Sequence, residues 1–145
     1  MIFRKLHGYK YETLKEEFFT TNIYPDFNIV TRYITLDITG MLRVRKHYAW
    51  DGASGPTIDD ETNYRGSLAH DALYQLMREN KLSRVHRKEC DKVLRDVCLE
   101  DGMNKLRAWY YYVAVRKFSK KSSMSRKNPR GVTVRTGVDN KVGVA

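Results

Sequence analysis

Alternation between apolar and polar positions is clearest from residue 29 to residue 50. Ile29-Val30-Thr31-Arg32-Tyr33-Ile34-Thr35-Leu36-Asp37-Ile38 is rich in β-branched and aromatic residues, Thr39-Gly40 supplies a turn, and Leu42 to Trp50 alternates again. This pattern predicts an antiparallel β-hairpin. Tyr9 to Thr21 is compatible with a strand or a short helix, and Asp51-Gly52-Ala53-Ser54-Gly55-Pro56-Thr57 reads as a loop running on to Asn63. The period then lengthens. A helix is predicted over Tyr64 to Glu79, with Leu68, Ala69, Ala72, Leu73, Leu76 and Met77 on one half of the wheel. A polar break, Glu79-Asn80-Lys81-Leu82-Ser83, separates it from a second helix, Arg84 to Asp101. Val85, Val93, Leu94 and Val97 should face inward there, His86 should be a core histidine, and Gly102 suits the residue after the helix. A third helix, Asn104 to Phe118, has Leu106, Trp109, Tyr110, Val113 and Ala114 as its apolar face.

These elements predict an α+β fold. An N-terminal antiparallel β unit precedes an antiparallel helical hairpin, a third helix and an extended basic C-terminal tail. Residues 1–118 are expected to form a single domain and residues 119–145 an extension. Charge is what separates the two. The chain of 145 residues carries +10, yet Arg116 to Ala145 alone holds nine basic residues against one acid, Asp139. The remaining 115 residues hold 18 basic and 16 acidic side chains, so the globular part is nearly neutral. Val132, Val134, Val138, Val142 and Val144 could add an extended strand to a partner.

Cys90 and Cys98 fall eight apart on one predicted helix, roughly 12 Å at 1.5 Å rise per residue, too far for a disulfide. Free thiols suit a reducing compartment. Met1 to His7 lacks the continuous apolar stretch of a signal peptide, and no run approaches the eighteen apolar residues of a membrane span.

The candidate chemistry sits on the helical hairpin. His70-Asp71-x-x-Tyr74 precedes the break, and Asp91 follows His70 by twenty-one residues. If the two helices fold back about residue 80 or 81, His70 and Asp91 stand about equally far from the turn and meet side by side. Tyr74 lies one turn from His70 on the same shoulder of the wheel. All three fall at the margin of the seam, a position that is partly dry yet open to a ligand, and a histidine facing a carboxylate suits acid–base and metal chemistry. The plainer alternative is a structural hydrogen-bonded tie between two helices.

His70-Asp71-x-x-Tyr74 with Asp91 on the next helix resembles the core of the phospholipase A2 superfamily, particularly its short bacterial and fungal members. A wider stretch resembles a phage-associated family, domain of unknown function 1353. That likeness runs through Trp50-Asp51-Gly52-Ala53-Ser54-x-Pro56, His70-Asp71-Ala72-Leu73-Tyr74, Cys90-Asp91-Lys92-Val93-Leu94, Gly102 and Val113-Ala114-Val115-Arg116-Lys117-Phe118. It covers roughly residues 28–118. The phospholipase resemblance implies that His70 takes a proton from the attacking water, with Asp91 holding the imidazole tautomer and Tyr74 bonded to Asp91. It further implies Ca²⁺ at Asp71, helped by Asp51 and Gly52, polarising an ester carbonyl. The disulfides of secreted phospholipases are missing.

The resemblance implies a phage-encoded, Ca²⁺-dependent lipid ester hydrolase, made in the cytoplasm of an infected bacterial host, with incorporation in the virion as a further expectation. Its partners would then include a phospholipid or anionic membrane surface. Two other classes stay open. One is a structural head or tail component of the particle, docking on phage structural proteins through residues 119–145. The other is a polyanion-binding module, with nucleic acid as a less favoured partner. A reading of His70-Asp71 as the metal pair of an HD-type phosphohydrolase needs His47 and Asp91 as outer ligands, and His47 is predicted to lie in a strand.

Overall fold

The computed structural model describes residues 1–5, 11–52 and 59–125. The described residues form an α+β fold: antiparallel strands in two sheets, then three helices. By their contacts the described residues divide into two compact units, 1–51 and 52–125.

In the first unit β1 (Phe3–Lys5), β2 (Tyr11–Thr13) and β7 (Ala49–Trp50) form one sheet, in the order β1-β2-β7. The other contains β3 (Glu17–Thr20), β4 (Ile29–Val30), β5 (Ile34–Leu36) and β6 (Met41–Val44), in the order β3-β6-β5-β4. The predicted hairpin is the β5–β6 pair, with Leu36 opposite Leu42 and Ile34 opposite Val44, all four buried. Its turn closes on Gly40, whose φ is +89 and where a Cβ would stand 2.5 Å from the Thr21 carbonyl oxygen. Both expected long strands are broken. Thr31 caps a tight turn through its hydroxyl, which accepts from Ile34 N at 2.9 Å, so β4 folds back on β5. The second strand stops at Val44 because Thr13 captures the next residues. Its hydroxyl donates to Arg45 O at 3.0 Å and accepts from Tyr48 N at 3.1 Å. His47 therefore sits in a turn with φ +74, not in a strand, and its Nδ1 lies 3.4 Å from buried Glu12.

The second unit holds α1 (Tyr64–Arg78), α2 (Arg87–Glu100) and α3 (Lys105–Phe118). The apolar half-wheel of α1 is buried as its periodicity predicts. After a turn through Asn80, φ +59, α2 returns antiparallel beside it, pairing Gly66 with Leu94 and Cys98, His70 with Asp91 and Tyr74 with Arg87. Residues Arg84–His86 form a separate 3-10 turn, capped by the Ser83 side chain, which accepts from Val85 N. That short turn rotates Val85 out to 79% exposure and leaves His86 only half-buried, against the inward placement expected for both. Gly102 ends α2 at φ +98, with Met103 N bonded to Cys98 O and Gly102 N to Leu99 O, the paired bonds of a Schellman motif.

Gly66 is where the two helices come closest. A Cβ there would lie 2.7 Å from Cys98 Sγ and 3.1 Å from Leu94 O. Gly66→Val should therefore destabilise the helical unit by about 1–3 kcal/mol, the usual cost of overpacking, despite valine's better helix propensity. Urea unfolding followed by helical circular dichroism measures it, and wild-type stability would mean that the helices separate freely.

α3 presents the opposite face to the one its pattern suggests. Ala108, Tyr111 and Val115 are buried against Leu94, Cys98 and Met103, whereas Leu106, Trp109 and Tyr110 are exposed. Polar anchors set this rotation. The Asn104 side chain accepts from Arg107 N, the Tyr111 hydroxyl accepts from Asn63 Nδ2 at 2.9 Å, and Arg107 donates to Asp60 at 2.6 Å. The Asp60 carboxyl is held below its ordinary value, first by the Thr62 hydroxyl and then, against the effect of burial, by Thr62 N and Arg107. After α3, residues 119–125 turn back on α1 through a 3-10 turn, Lys120–Ser123. The valine-rich stretch of the expected extension, within 126–145, lies outside the described residues. Among the described residues no helix is long and apolar enough to cross a membrane.

Candidate active site

The helical hairpin brings His70, Tyr74 and Asp91 into one hydrogen-bonded group. His70 and Tyr74 stand one turn apart on α1, their rings 4.1 Å apart at 35°. Asp91 faces them from α2 and has no exposed surface. Its Oδ1 lies 2.8 Å from His70 Nε2 and accepts from the Tyr74 hydroxyl at 2.6 Å. The His70 side chain keeps 13% exposure, so the group opens to solvent at the histidine.

Two arginines complete the group, and the sequence reading missed both. Arg116, from the end of α3, donates through Nη1 to Asp91 Oδ2 at 2.8 Å. Arg87 donates through Nε to the Tyr74 hydroxyl at 3.1 Å, and its Nη2 stands 4.0 Å from Asp91 Oδ2. Arg87 was detectable in principle, since it precedes Asp91 by four residues on one helix. Arg116 carried no such signal and was counted with the basic tail.

Electrostatics follow from this packing. Burial works to raise the Asp91 carboxyl. The His70 hydrogen bond and charge, then the Tyr74 and Arg116 bonds, outweigh it, so Asp91 is held ionised below its ordinary value. Tyr74 moves the other way, because burial and the neighbouring carboxylate push its phenol well above the usual range. It therefore remains a donor. Cys90 and Cys98 are free and buried, and burial raises both thiols, Cys98 to about 12. Neither is a nucleophile at neutral pH.

The residues expected at a metal divide between the two units, Asp51 in the first and Gly52 and Asp71 in the second. Asp71 is partly exposed on α1, with Arg78 Nη2 at 3.9 Å. Asp51 is exposed at the end of the first unit, and Gly52 opens the second with φ +81. The rest of that loop, 53–58, lies outside the described residues. Among the described residues no three His, Cys, Asp or Glu side chains gather as a metal site.

The chain thus combines an antiparallel sheet unit with a helical unit that carries a histidine–aspartate pair, the aspartate buried and the histidine partly exposed. The model of the family described as protein of unknown function (DUF1353) matches residues 28–115, more than half of the chain, and the chain belongs to that family. No curated protein and no solved structure matches it.

Proposed function

We propose that the chain is a phage-encoded hydrolase of phospholipid carboxylic esters in which His70 is the general base. The 2.8 Å contact between His70 Nε2 and a buried, ionised Asp91 carries this reading. An ionised carboxylate draws the ring proton to Nε2 and leaves the lone pair on Nδ1. Nδ1 takes a proton from water as the water oxygen adds to the ester carbonyl. The imidazolium then returns that proton to the departing alkoxide, yielding an acid and an alcohol. Asp91 and Tyr74 position the ring.

Ca²⁺ belongs to the same proposal. Asp51, Asp71 and the Gly52 carbonyl are hard oxygen donors of the kind this ion takes, and when bound it would supply polarisation of the ester carbonyl. The proton steps above use only the protein's own side chains.

Fatty-acid release from dispersed short-chain phospholipid tests the reading. The wild type should hydrolyse the ester, and chelation of Ca²⁺ or Asp71→Asn should suppress it. His70→Asn should lower the rate by about 10²–10⁴-fold with an unchanged circular dichroism spectrum, the usual contribution of a general base. A chain that releases no fatty acid, or a His70→Asn variant as active as the wild type, would sink the proposal.

A second reading has its own observation. α3 exposes Leu106 at 75% and Phe118 at 80%, with Trp109 and Tyr110 also exposed, an apolar surface of the sort that marks protein association. On this reading the chain is a structural component of a phage particle, and the Asp91 group is a tie between helices. Trp109→Lys would then abolish incorporation into purified particles, whereas His70→Asn would not.

A further inference from the structure

A cavity of about 380 Å³ opens where the start of α2, the end of α3 and the 3-10 turn at 120–123 meet, all within the second unit. Among the described residues its wall carries five cations, Arg84, Arg87, Lys88, Arg116 and Lys120, and no acid. We propose that this cavity is a binding site for a phosphate group.

Three observations lead there. The first is uncompensated charge. Asp91 lies behind the wall and is already shared by His70, Tyr74 and Arg116. Neither Lys88 nor Lys120 has an acidic partner among the described residues. Five like charges around one small cavity repel each other, and a multiply charged anion relieves that repulsion.

The second is preorganisation. Arg87 is fixed by bonds from Nη2 to the carbonyls of Val115, at 2.9 Å, and Arg116, at 2.8 Å. Arg84 is fixed by bonds from Nη1 to Met77 O and Ser123 O, both at 3.2 Å. Arginines anchored to backbone lose little freedom when an anion arrives. Arg116 spends Nη1 on Asp91, and the rest of its planar fork suits phosphate oxygens.

The third is the backbone. Arg87 and Lys88 are the first residues of a fourteen-residue helix, so the positive end of its dipole adds to the side-chain charge. The negative end of α3 nearby is covered by the Arg87 bonds. Val85 and Met124, both exposed, give the cavity an apolar edge that tolerates a ligand with a greasy portion. A lipid headgroup and a free phosphate share the recognised chemistry.

The site does not depend on ester hydrolysis, and its test uses binding alone. Full-length protein is titrated calorimetrically with inorganic phosphate and pyrophosphate at low salt. In parallel it is mixed with vesicles of phosphatidylglycerol or of phosphatidylcholine in a sedimentation assay. Saturable binding of phosphate or pyrophosphate identifies a free phosphate as the ligand, and selective binding of phosphatidylglycerol vesicles identifies a headgroup. In either arm Lys88→Gln/Lys120→Gln should weaken affinity about tenfold or more, as expected for two lost charge-assisted contacts. A control pair, Lys127→Gln/Lys141→Gln, removes equal charge from the C-terminal stretch and should change affinity less than about twofold.

Equal losses in the two pairs would reveal diffuse attraction and overturn the site, as would no binding in both arms. Phosphate binding without ester hydrolysis would remove the hydrolase reading and leave this site standing. Hydrolysis with unaltered phosphate affinity in the Lys88/Lys120 variant would do the reverse.

Discussion

Asp91→Ala is expected to lower the unfolding free energy by about 3–5 kcal/mol, the loss typical when one side of a buried ion pair is removed. The carboxylate has no exposed surface and accepts from His70, Tyr74 and Arg116. Alanine leaves all three without their acceptor and opens a small void. Asp91→Asn should lose less, since its amide oxygen still accepts, but its amide NH₂ would face a donor. The pH dependence has a definite sign. Folding lowers the Asp91 pKa, so the unfolded chain takes up the proton more readily. The contribution is therefore complete above the unfolded value of about 3.9 and disappears as pH falls through the lower folded value. Urea unfolding of wild type, Asp91→Asn and Asp91→Ala from pH 7 to pH 3 measures both effects. A loss under about 1 kcal/mol for alanine, in the range of exposed ion pairs, would show that the group contributes little to the fold.

The second large effect concerns the end of the helical unit. A chain ending after Phe118 is expected to be less stable by about 3 kcal/mol than one ending after Ser125, from the loss of two hydrogen bonds made by charged groups. Arg78 is almost wholly buried, and its Nη1 donates to Ser122 O at 2.8 Å. Arg84 reaches Ser123 O, and Ser119 and Ser123 are themselves buried. Without residues 119–125, Arg78 would keep its charge with the Ser122 acceptor gone. Thermal unfolding of the two truncated chains makes the comparison, and equal melting temperatures would place the edge of the unit at Phe118.

Much of the helical hairpin is legible in the sequence alone. The α1 stripe, the polar break and the placement of His70, Tyr74 and Asp91 all follow from helical period and a symmetric turn. What could not be read is what depends on polar contacts between distant residues. A hydrophobic wheel ranks Leu106, Trp109 and Tyr110 as the inner face of α3, but the Tyr111 hydroxyl and Arg107 have fixed partners at Asn63 and Asp60 that hold them outside. His47 looked like a strand residue because its neighbours alternate, whereas Thr13, thirty-four positions earlier, claims their backbone groups. Arg116 was hidden for a similar reason. It looked like the first charge of a solvated tail, and only the packing of α3 on α2 shows that it ends on Asp91.

One carboxylate on α2 thus gathers two side chains from α1 and one from α3. Fraying the end of α3 would withdraw Arg116 and leave part of a buried charge uncovered, and lifting α1 would withdraw the rest. Neither helix can loosen cheaply alone, so the three should open to solvent as one cooperative unit, with the amides of α1 and α2 around Tyr74 and Asp91 exchanging only when the whole bundle does.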